Sequence, residues 1–226
     1  MALSDKMILD YIKLDHIIIS PFERASLNTS SYDVRLGRWF FREQKRPFKR
    51  IYNPWDENDV HSVWGEPMEA PRAGDIALPL DRWTGIERSD RVIVIESGET
   101  ILAHTEEFIG GRHFVTSKMQ ARSSMGRNFI EVCKCAGWGD VGYVNRWTME
   151  ITNNSRRYSI PLVVGRRIAQ IIFFHTGEKV TSSYAKGGKY QETDDLDTLI
   201  RNWTPDLMLP RLYRDRELKK EDDMPA

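Results

Sequence analysis

A glutamate, an aspartate and a serine–arginine segment are the residues of this sequence that could do chemistry together. The segment RSSMGR at 122–127 supplies two arginines and a serine pair, and AGWGDVGYVNRWTMEITN at 136–153 supplies Asp140 and Glu150. Polar groups at such a density indicate a ligand-binding site. Its geometry depends on which strands, helices and turns carry these residues.

Glu150 lies on a predicted strand, RWTMEIT at 146–152. Period-two alternation puts Trp147, Met149 and Ile151 on one face and Glu150 on the opposite, polar face. A solvated strand face explains this pattern, because charged side chains are mostly exposed. The alternative is a general base inside a cleft.

Asp140 sits in GDVGY, between glycines that would let the backbone approach a ligand and before Tyr143, whose ring could lie under a sugar. An ordinary turn aspartate fits the same residues. The arginines and serines of RSSMGR suit triphosphate oxygens, since guanidinium groups bind them bidentately. The segment lacks the spacing of a Walker loop, so by itself it indicates only an anion site.

Histidine and cysteine usage argues against a zinc-dependent reaction. The five histidines are scattered, and no His-x-Glu paired with Pro-Cys-x-x-Cys occurs, so zinc-dependent base deamination is not supported. Cys133 and Cys135 stand one residue apart, where strand geometry would turn them to opposite sides. Reduced thiols and a cytoplasmic setting follow from this interpretation.

Composition restricts the partners. Lys+Arg and Asp+Glu are both 33, so no net field attracts the chain to nucleic acid or to an anionic membrane. The sequence has no run of roughly 18 apolar residues, the length of a membrane span. The 226 residues fit one domain, which we expect over 1–204, with a long loop or insertion at 42–75 and a polar, flexible tail at 205–226.

The periodicity predicts an all-β fold. A helical pattern occurs at 5–14, and a short helix is expected near 194–203. Strand patterns occur at 16–22, 30–41, 91–96, 100–105, 113–121, 129–135, 146–152, 159–164 and 167–175. Many short strands with one helix near the start favour a sandwich, jelly roll or barrel. The apolar run in 167–175 indicates a strand covered on both faces, which another subunit could provide.

Five segments together resemble the dCTP deaminase branch of the dUTPase-like trimeric superfamily. These are SYDVRLG at 31–37, GETILAHTEEFI at 98–109, RSSMGR, AGWGDVGY with TMEITN, and VVGRRIAQIIF at 163–173. The resemblance implies a β-clip fold, a distorted jelly roll, assembled as a homotrimer with active sites between subunits. It also implies a pyrimidine deoxynucleoside triphosphate as substrate, with Mg²⁺ bound through the triphosphate and no zinc.

The resemblance assigns catalytic roles at matching positions. The deaminase branch carries a catalytic glutamate where Glu150 stands, and dUTPases use an aspartate at the position of Asp140 to orient water toward phosphorus. Ser123 would hydrogen-bond the attacking water, Arg127 would orient the glutamate, and the Ala136 carbonyl would help position the base. Without zinc, one carboxylate can cycle as base and acid while water attacks C4, and a water-poor site would raise its pKa to suit.

The same resemblance implies a set of nucleotide contacts. They are Arg122, Ser124 and Arg127 around the phosphates, Asp140 at the 3′-hydroxyl, Tyr143 beside the sugar, the backbone of Trp147, Thr148, Met149 and Glu150 on the pyrimidine edge, and Tyr184, Lys189 and Gln191 in a segment that closes over the triphosphate.

Three departures leave the reaction open. The family usually has a glutamine at Thr193, a histidine at Cys133 and a glycine at Asn145. We expect deamination of dCTP to dUTP and ammonia. The alternatives are a bifunctional deaminase and dUTPase, a nucleotide pyrophosphatase that uses Asp140, and a catalytically silent nucleotide-binding module. A modified cytosine as substrate is also left open.

Overall fold

The computed structural model describes residues 1–44, 51–76 and 83–215. Within these ranges the α-helices are α1 (Asp5–Lys13), α2 (Glu57–Trp64), α3 (Ser123–Arg127) and α4 (Leu196–Asn202). The strands of the same ranges are β1 (Ile17–Ser20), β2 (Tyr32–Arg42), β3 (Met68–Glu69), β4 (Val92–Ile95), β5 (Thr100–Gly111), β6 (Val115–Ala121), β7 (Ile130–Glu131), β8 (Trp138–Gly139), β9 (Val144–Asn153), β10 (Ile160–Val163) and β11 (Arg167–His175).

The described strands form one large antiparallel sheet and one small one. The large sheet has the order β7-β9-β5-β2-β11-β6-β8, with β1 paired to β5 and β3 paired to β2. Strands β10 and β4 pair separately. The register shifts within the β5–β9 pairing between His104 and Phe108, and such irregularities bend and twist a sheet. The predicted all-β class with a short N-terminal helix is confirmed.

Local sequence explains the elements around the site. The Ser4 hydroxyl caps α1 by accepting a hydrogen bond from the Met7 amide at 3.3 Å. In β9 the predicted alternation is confirmed: Trp147, Met149 and Ile151 are buried in the main core, and Glu150 lies on the opposite face with partial exposure. Burial of the apolar face therefore fixes the direction in which Glu150 points.

The strand predicted at 129–135 is wrong beyond its first residues. Only Ile130–Glu131 is a strand, and Phe129, Cys133 and Lys134 have φ values of 66°, 65° and 40°. Residues in this left-handed region turn the chain instead of extending it. Cys133 and Cys135 are both free, as predicted, but the reason is this turn and not a strand that separates them.

Two segments expected to be irregular are partly structured. The region 42–75 contains α2 and β3, and β3 pairs with β2; residues 45–50 lie outside the described ranges. Residues Pro205–Met208 form a 3₁₀ helix, and Met208 and Leu209 are buried with Phe41 and Val60 in a second hydrophobic cluster. The prediction of a polar, flexible tail is therefore wrong for 205–215, and 216–226 lie outside the described residues.

Strand β11 has one buried face and one half-covered face. Ala169, Ile171 and Phe173 are fully buried, whereas Ile172 and Phe174 on the other face are half-buried. Cover from another subunit stays a prediction. Among the described residues, no helix has the length and apolar character that crossing a membrane requires.

Candidate active site

A cavity of about 510 Å³ opens over the polar face of β9. Its floor comes from β5 and β9, one side from the turn before β8, and the other side from α2 and the C-terminal segment. The lining residues are Trp64, Thr100, Leu102, Lys134, Ala136, Trp138, Asp140, Tyr143, Trp147, Thr148, Glu150, Tyr184, Tyr190, Met208 and Pro210. Its volume is in the range of small-molecule sites.

Glu150 is the acidic residue on the floor of this cavity. Its register partner on β5 is Leu102, and the neighbouring pair, Thr100 and Thr152, joins its hydroxyls at 2.8 Å. Burial raises the pKa of Glu150 above that of an ordinary glutamate, while the nearby Lys134 ammonium lowers it. Burial also raises the pKa of the Cys133 thiol, and the Glu150 charge adds to that rise. The carboxyl therefore keeps its proton to a higher pH than an ordinary glutamate, which suits a group that takes up and releases a proton.

The backbone of β9 beside Glu150 has an open edge. On one side β9 pairs with β5, where Thr148, Met149 and Glu150 face His104, Ala103 and Leu102. On the other side, the described strands pair only with the last two residues of β9, through β7. Amide and carbonyl groups on this edge remain available to a planar ligand. Peptides that add to an exposed sheet edge form hydrogen bonds with the same kind of backbone groups.

Aromatic rings form the wall next to this edge. Tyr143 packs edge-on against Trp147 and Tyr184, with ring centroids 5.4 and 5.2 Å apart. The Trp147 indole donates to the Ile109 carbonyl at 2.8 Å, so its ring is fixed. Burial raises the pKa of the Tyr143 phenol, and neighbouring Tyr184 adds to the rise, so Tyr143 acts as a neutral surface.

Asp140 stands at the mouth of the Glu150 cavity. It is exposed and also lines an adjoining groove of about 560 Å³, in which Thr116, Ser182 and Ser183 supply hydroxyls. The glycines around it serve packing within the chain: a side chain at Gly139 would come within 2.3 Å of the Trp147 ring. That these glycines also let the backbone approach a ligand stays a prediction.

The serine–arginine segment does not reach the cavity of its own chain. It folds as α3, on which Ser123, Ser124 and Arg127 are exposed, and none of these lines the cavity. The Arg122 Nε lies 3.1 Å from a buried carboxylate oxygen of Asp33. Within one chain, the serine–arginine segment is therefore separate from Glu150. The predicted site, in which both meet, is not formed by a single chain.

Three further predicted residues have other roles in the structure. The Met149 side chain is fully buried in the core, so only its backbone can meet a ligand. The buried Gln191 side chain accepts from the Val144 amide at 2.7 Å and donates to the Gly142 carbonyl at 2.9 Å, so it fastens the chain and does not line the cavity. Lys189 forms an ion pair with Asp215.

Two of the positions that depart from the family pattern also lie off the cavity. The Asn145 amide donates to the Tyr190 carbonyl at 3.1 Å, and Asn145 lines a separate pocket of about 240 Å³. Cys133 is buried beside Glu150 and is absent from the lining. Within one described chain, these two departures therefore do not change the lining of the Glu150 cavity.

Sequence reasoning missed part of the cavity. Ala136, Asp140, Tyr143, Trp147, Thr148, Glu150 and Tyr184 were predicted and come together there. Trp64, Met208 and Pro210 were not predicted, because they come from segments without strand periodicity. In the ranges described, no group of three or more His, Cys, Asp or Glu side chains is arranged to hold a metal ion.

The fold and site define a class of nucleotide enzyme, and comparison with known proteins identifies it. A family model described as dCTP deaminase-like matches residues 2–176. The chain therefore belongs to the dCTP deaminase-like family, as its motifs predicted.

Individual relatives agree with this assignment. A protein named "dCTP deaminase, dUMP-forming" from Hydrogenobaculum sp. (strain Y04AAS1) is 35% identical over 175 residues, which cover 76% of this chain and 81% of the relative. A protein of the same name from Methanococcus vannielii is 30% identical over 208 residues, covering 89% and 96% of the two chains.

The fold is shared with a solved structure. The crystal structure of 2'-deoxycytidine 5'-triphosphate deaminase from Agrobacterium tumefaciens matches with a TM-score of 0.51 at 18% identity, over 76% of this chain and 47% of that chain. The fold expected from the motifs is confirmed by this similarity.

Proposed function

We propose that this protein is an enzyme that deaminates dCTP hydrolytically, with Glu150 as general base and acid. The observation that carries the proposal is a partly buried glutamate with a raised pKa, on the floor of a cavity and beside an open strand edge. The names of the relatives support the same substrate.

In the first step, Glu150 takes a proton from water as the oxygen attacks C4 of the cytosine. The proton passes to N3 and a second proton to the amino group, so that dCTP and water give dUTP and ammonia. The Ala136 carbonyl and the open edge of β9 hold the base, because backbone groups pair with the polar edge of a pyrimidine.

A second hydrolysis, of dUTP to dUMP and pyrophosphate, belongs to the proposal. It is favoured over the dUTP-releasing form because the relatives are named dUMP-forming. Asp140, exposed at the mouth of the cavity, would hold the 3′-hydroxyl and orient the second water. A nucleotide pyrophosphatase without deamination and a silent nucleotide-binding module become outcomes of the test.

The active form proposed is a homotrimer in the cytoplasm. Exposed Ser123 and Arg127 would reach the Glu150 cavity of a neighbouring copy, where Ser123 holds the water and Arg127 orients the carboxyl. The same helix, with Arg122 and Ser124, would frame the phosphates. The half-buried face of β11 supports the idea that copies pack together.

Magnesium would be bound through the triphosphate. Mg²⁺ on a nucleotide keeps water and phosphate oxygens and needs few protein ligands, so it requires no dedicated cluster of carboxylates here. The ion would neutralise phosphate charge, while Tyr184 and the Lys189 segment close over the phosphates.

Purified protein incubated with dCTP and Mg²⁺ should release ammonia and dUMP, separated by chromatography. We expect Glu150→Gln to lose ammonia release by at least about 10²-fold, the lower range for a general base, and to keep nucleotide binding. Glu96→Gln, on an exposed glutamate outside the cavity, is the matched control. Release of dCMP without ammonia would identify a pyrophosphatase, and binding without turnover a silent module.

A further inference from the structure

The Glu150 cavity has an apolar wall built from three distant parts of the chain. Leu102 on β5 is the register partner of Glu150, so their side chains are neighbours on one face of the sheet. Trp64 is the last residue of α2, and Met208 and Pro210 belong to the C-terminal segment. Leu102 therefore lies beside the reacting carboxyl, and the uncharged side chains of Trp64, Met208 and Pro210 line the same cavity.

This apolar wall is held by its own hydrophobic cluster. Leu102 and Met208 are only 4% and 3% exposed, and both pack with Phe41, Val60 and Leu209. Trp64 packs against the same cluster. Because the cluster fixes these side chains before any ligand arrives, the shape of the wall can discriminate between ligands.

A cytosine ring offers one edge that suits such a wall. N3, the 4-amino group and O2 need hydrogen-bond partners, which the side chains of Leu102 and Met208 cannot supply. The C5–C6 edge has none of these groups, and C5 is bonded to C4, the carbon at which Glu150 acts. An apolar side chain adjacent to Glu150 is therefore in position to contact C5.

We infer that Leu102, Trp64 and Met208 contact the C5–C6 edge of the pyrimidine and make 5-methyl-dCTP a substrate at least as good as dCTP. This inference rests on the proposed function. Water adds at C4 of 5-methyl-dCTP and ammonia leaves, which gives dTTP; a second water then gives dTMP and pyrophosphate.

The first test is the ratio of kcat/KM for 5-methyl-dCTP to kcat/KM for dCTP in the full-length protein. We expect a ratio between one and about four, since burial of one methylene-sized group corresponds to about a fourfold gain. A ratio below one overturns the inference. If dCTP gives no ammonia, the proposed function itself fails. If dCTP gives ammonia but the ratio is below one, only the inference fails, so the two failures are distinguishable.

The second test uses two matched variants of neighbouring buried residues. Met208 lines the cavity and Leu209 does not, although both belong to the same cluster with 3% exposure. Met208→Ala should lower the ratio about threefold as the methyl loses its contact, and Leu209→Ala should leave it unchanged. Equal ratios in the two variants overturn the role of Met208.

Folding is followed by thermal unfolding, because both substitutions remove core volume. Should Met208→Ala fail to fold, Trp64→Ala takes its place, since Trp64 lines the same cavity from α2. In that case the ratio in Trp64→Ala is compared with the wild-type ratio, and an unchanged ratio contradicts the inference.

Discussion

Burial and two other groups act on the pKa of Glu150 in opposite directions, because its own backbone amide and the Lys134 ammonium favour the charged carboxylate. Burial raises its pKa, so the folded protein binds the carboxyl proton more tightly than the unfolded chain does. This stabilising contribution is complete below the unfolded pKa of about 4.3 and is lost as pH rises through the higher folded value. The charged carboxylate therefore costs stability at neutral pH.

Glu150→Gln should consequently unfold at a higher temperature than the wild type above pH 7. The difference should shrink as pH is lowered toward about 4, where the unfolded carboxyl is also protonated. Thermal unfolding followed by circular dichroism at several pH values measures it. A lower unfolding temperature for the variant at pH 8 would show that the site stabilises the charged form.

Lys134 provides one of the two influences that lower the pKa of Glu150, after the hydrogen bond from the glutamate's own backbone amide. Its ammonium lowers the carboxyl pKa, so removal of that charge in Lys134→Met should raise it. The acid side of the kcat/KM profile should then move to higher pH, because the base must be ionised to accept a proton. Lys134→Arg serves as the charge-conserving control. An unchanged profile in Lys134→Met would exclude this electrostatic contact.

Gln191 shows how one side chain fixes an element. Its amide bonds the backbone at Val144, Gly142 and Thr193, and thereby ties the segment after Tyr184 to the start of β9. Loss of these bonds leaves buried backbone groups without partners, at about 1–3 kcal/mol for a group.

Gln191→Leu should therefore destabilise the protein by about 2–4 kcal/mol and raise KM for dCTP more than it lowers kcat. Urea unfolding and steady-state kinetics measure the two effects. Glu192→Leu, at the next position, is the control, because its exposed side chain makes none of these bonds. A kcat loss without a change in KM would place Gln191 in the chemistry instead.

Regular elements were predictable from sequence where burial imposes a period. The alternation in 146–152 predicted the direction of Glu150, because one face of β9 had to be buried. The turn at Cys133 and Lys134 was not predictable, since it lacks the glycine or asparagine that usually marks positive φ. The cavity wall from Trp64 and Met208 depends on contacts between distant segments, for which local periodicity carries no signal.

The whole molecule should be active only as an assembly. Within one described chain, exposed Arg127 on α3 does not line the cavity that holds Glu150. A site shared between copies needs Glu150 from one chain and Arg127 from a neighbouring chain.

Mixing inactive Glu150→Gln with inactive Arg127→Ala should therefore restore part of the activity after the subunits are exchanged. In the proposed homotrimer, mixed assemblies contain some sites with both native residues, so we expect recovery of roughly a quarter of wild-type ammonia release, the random-pairing value for closed rings. Mixing Glu150→Gln with Glu150→Ala is the control and should stay inactive. Absence of recovery with proven subunit exchange would place both residues in one chain's site.

The open edge of β9 also has a consequence for solubility. An unpaired strand edge is a template for strands of other chains, and proteins protect such edges with charges or with a cover. Arg146 and Glu150 are charged residues on this strand, and an incoming strand would have to bury them further. The strand proposed to bind a nucleobase through its backbone thus also carries the charges that oppose aggregation.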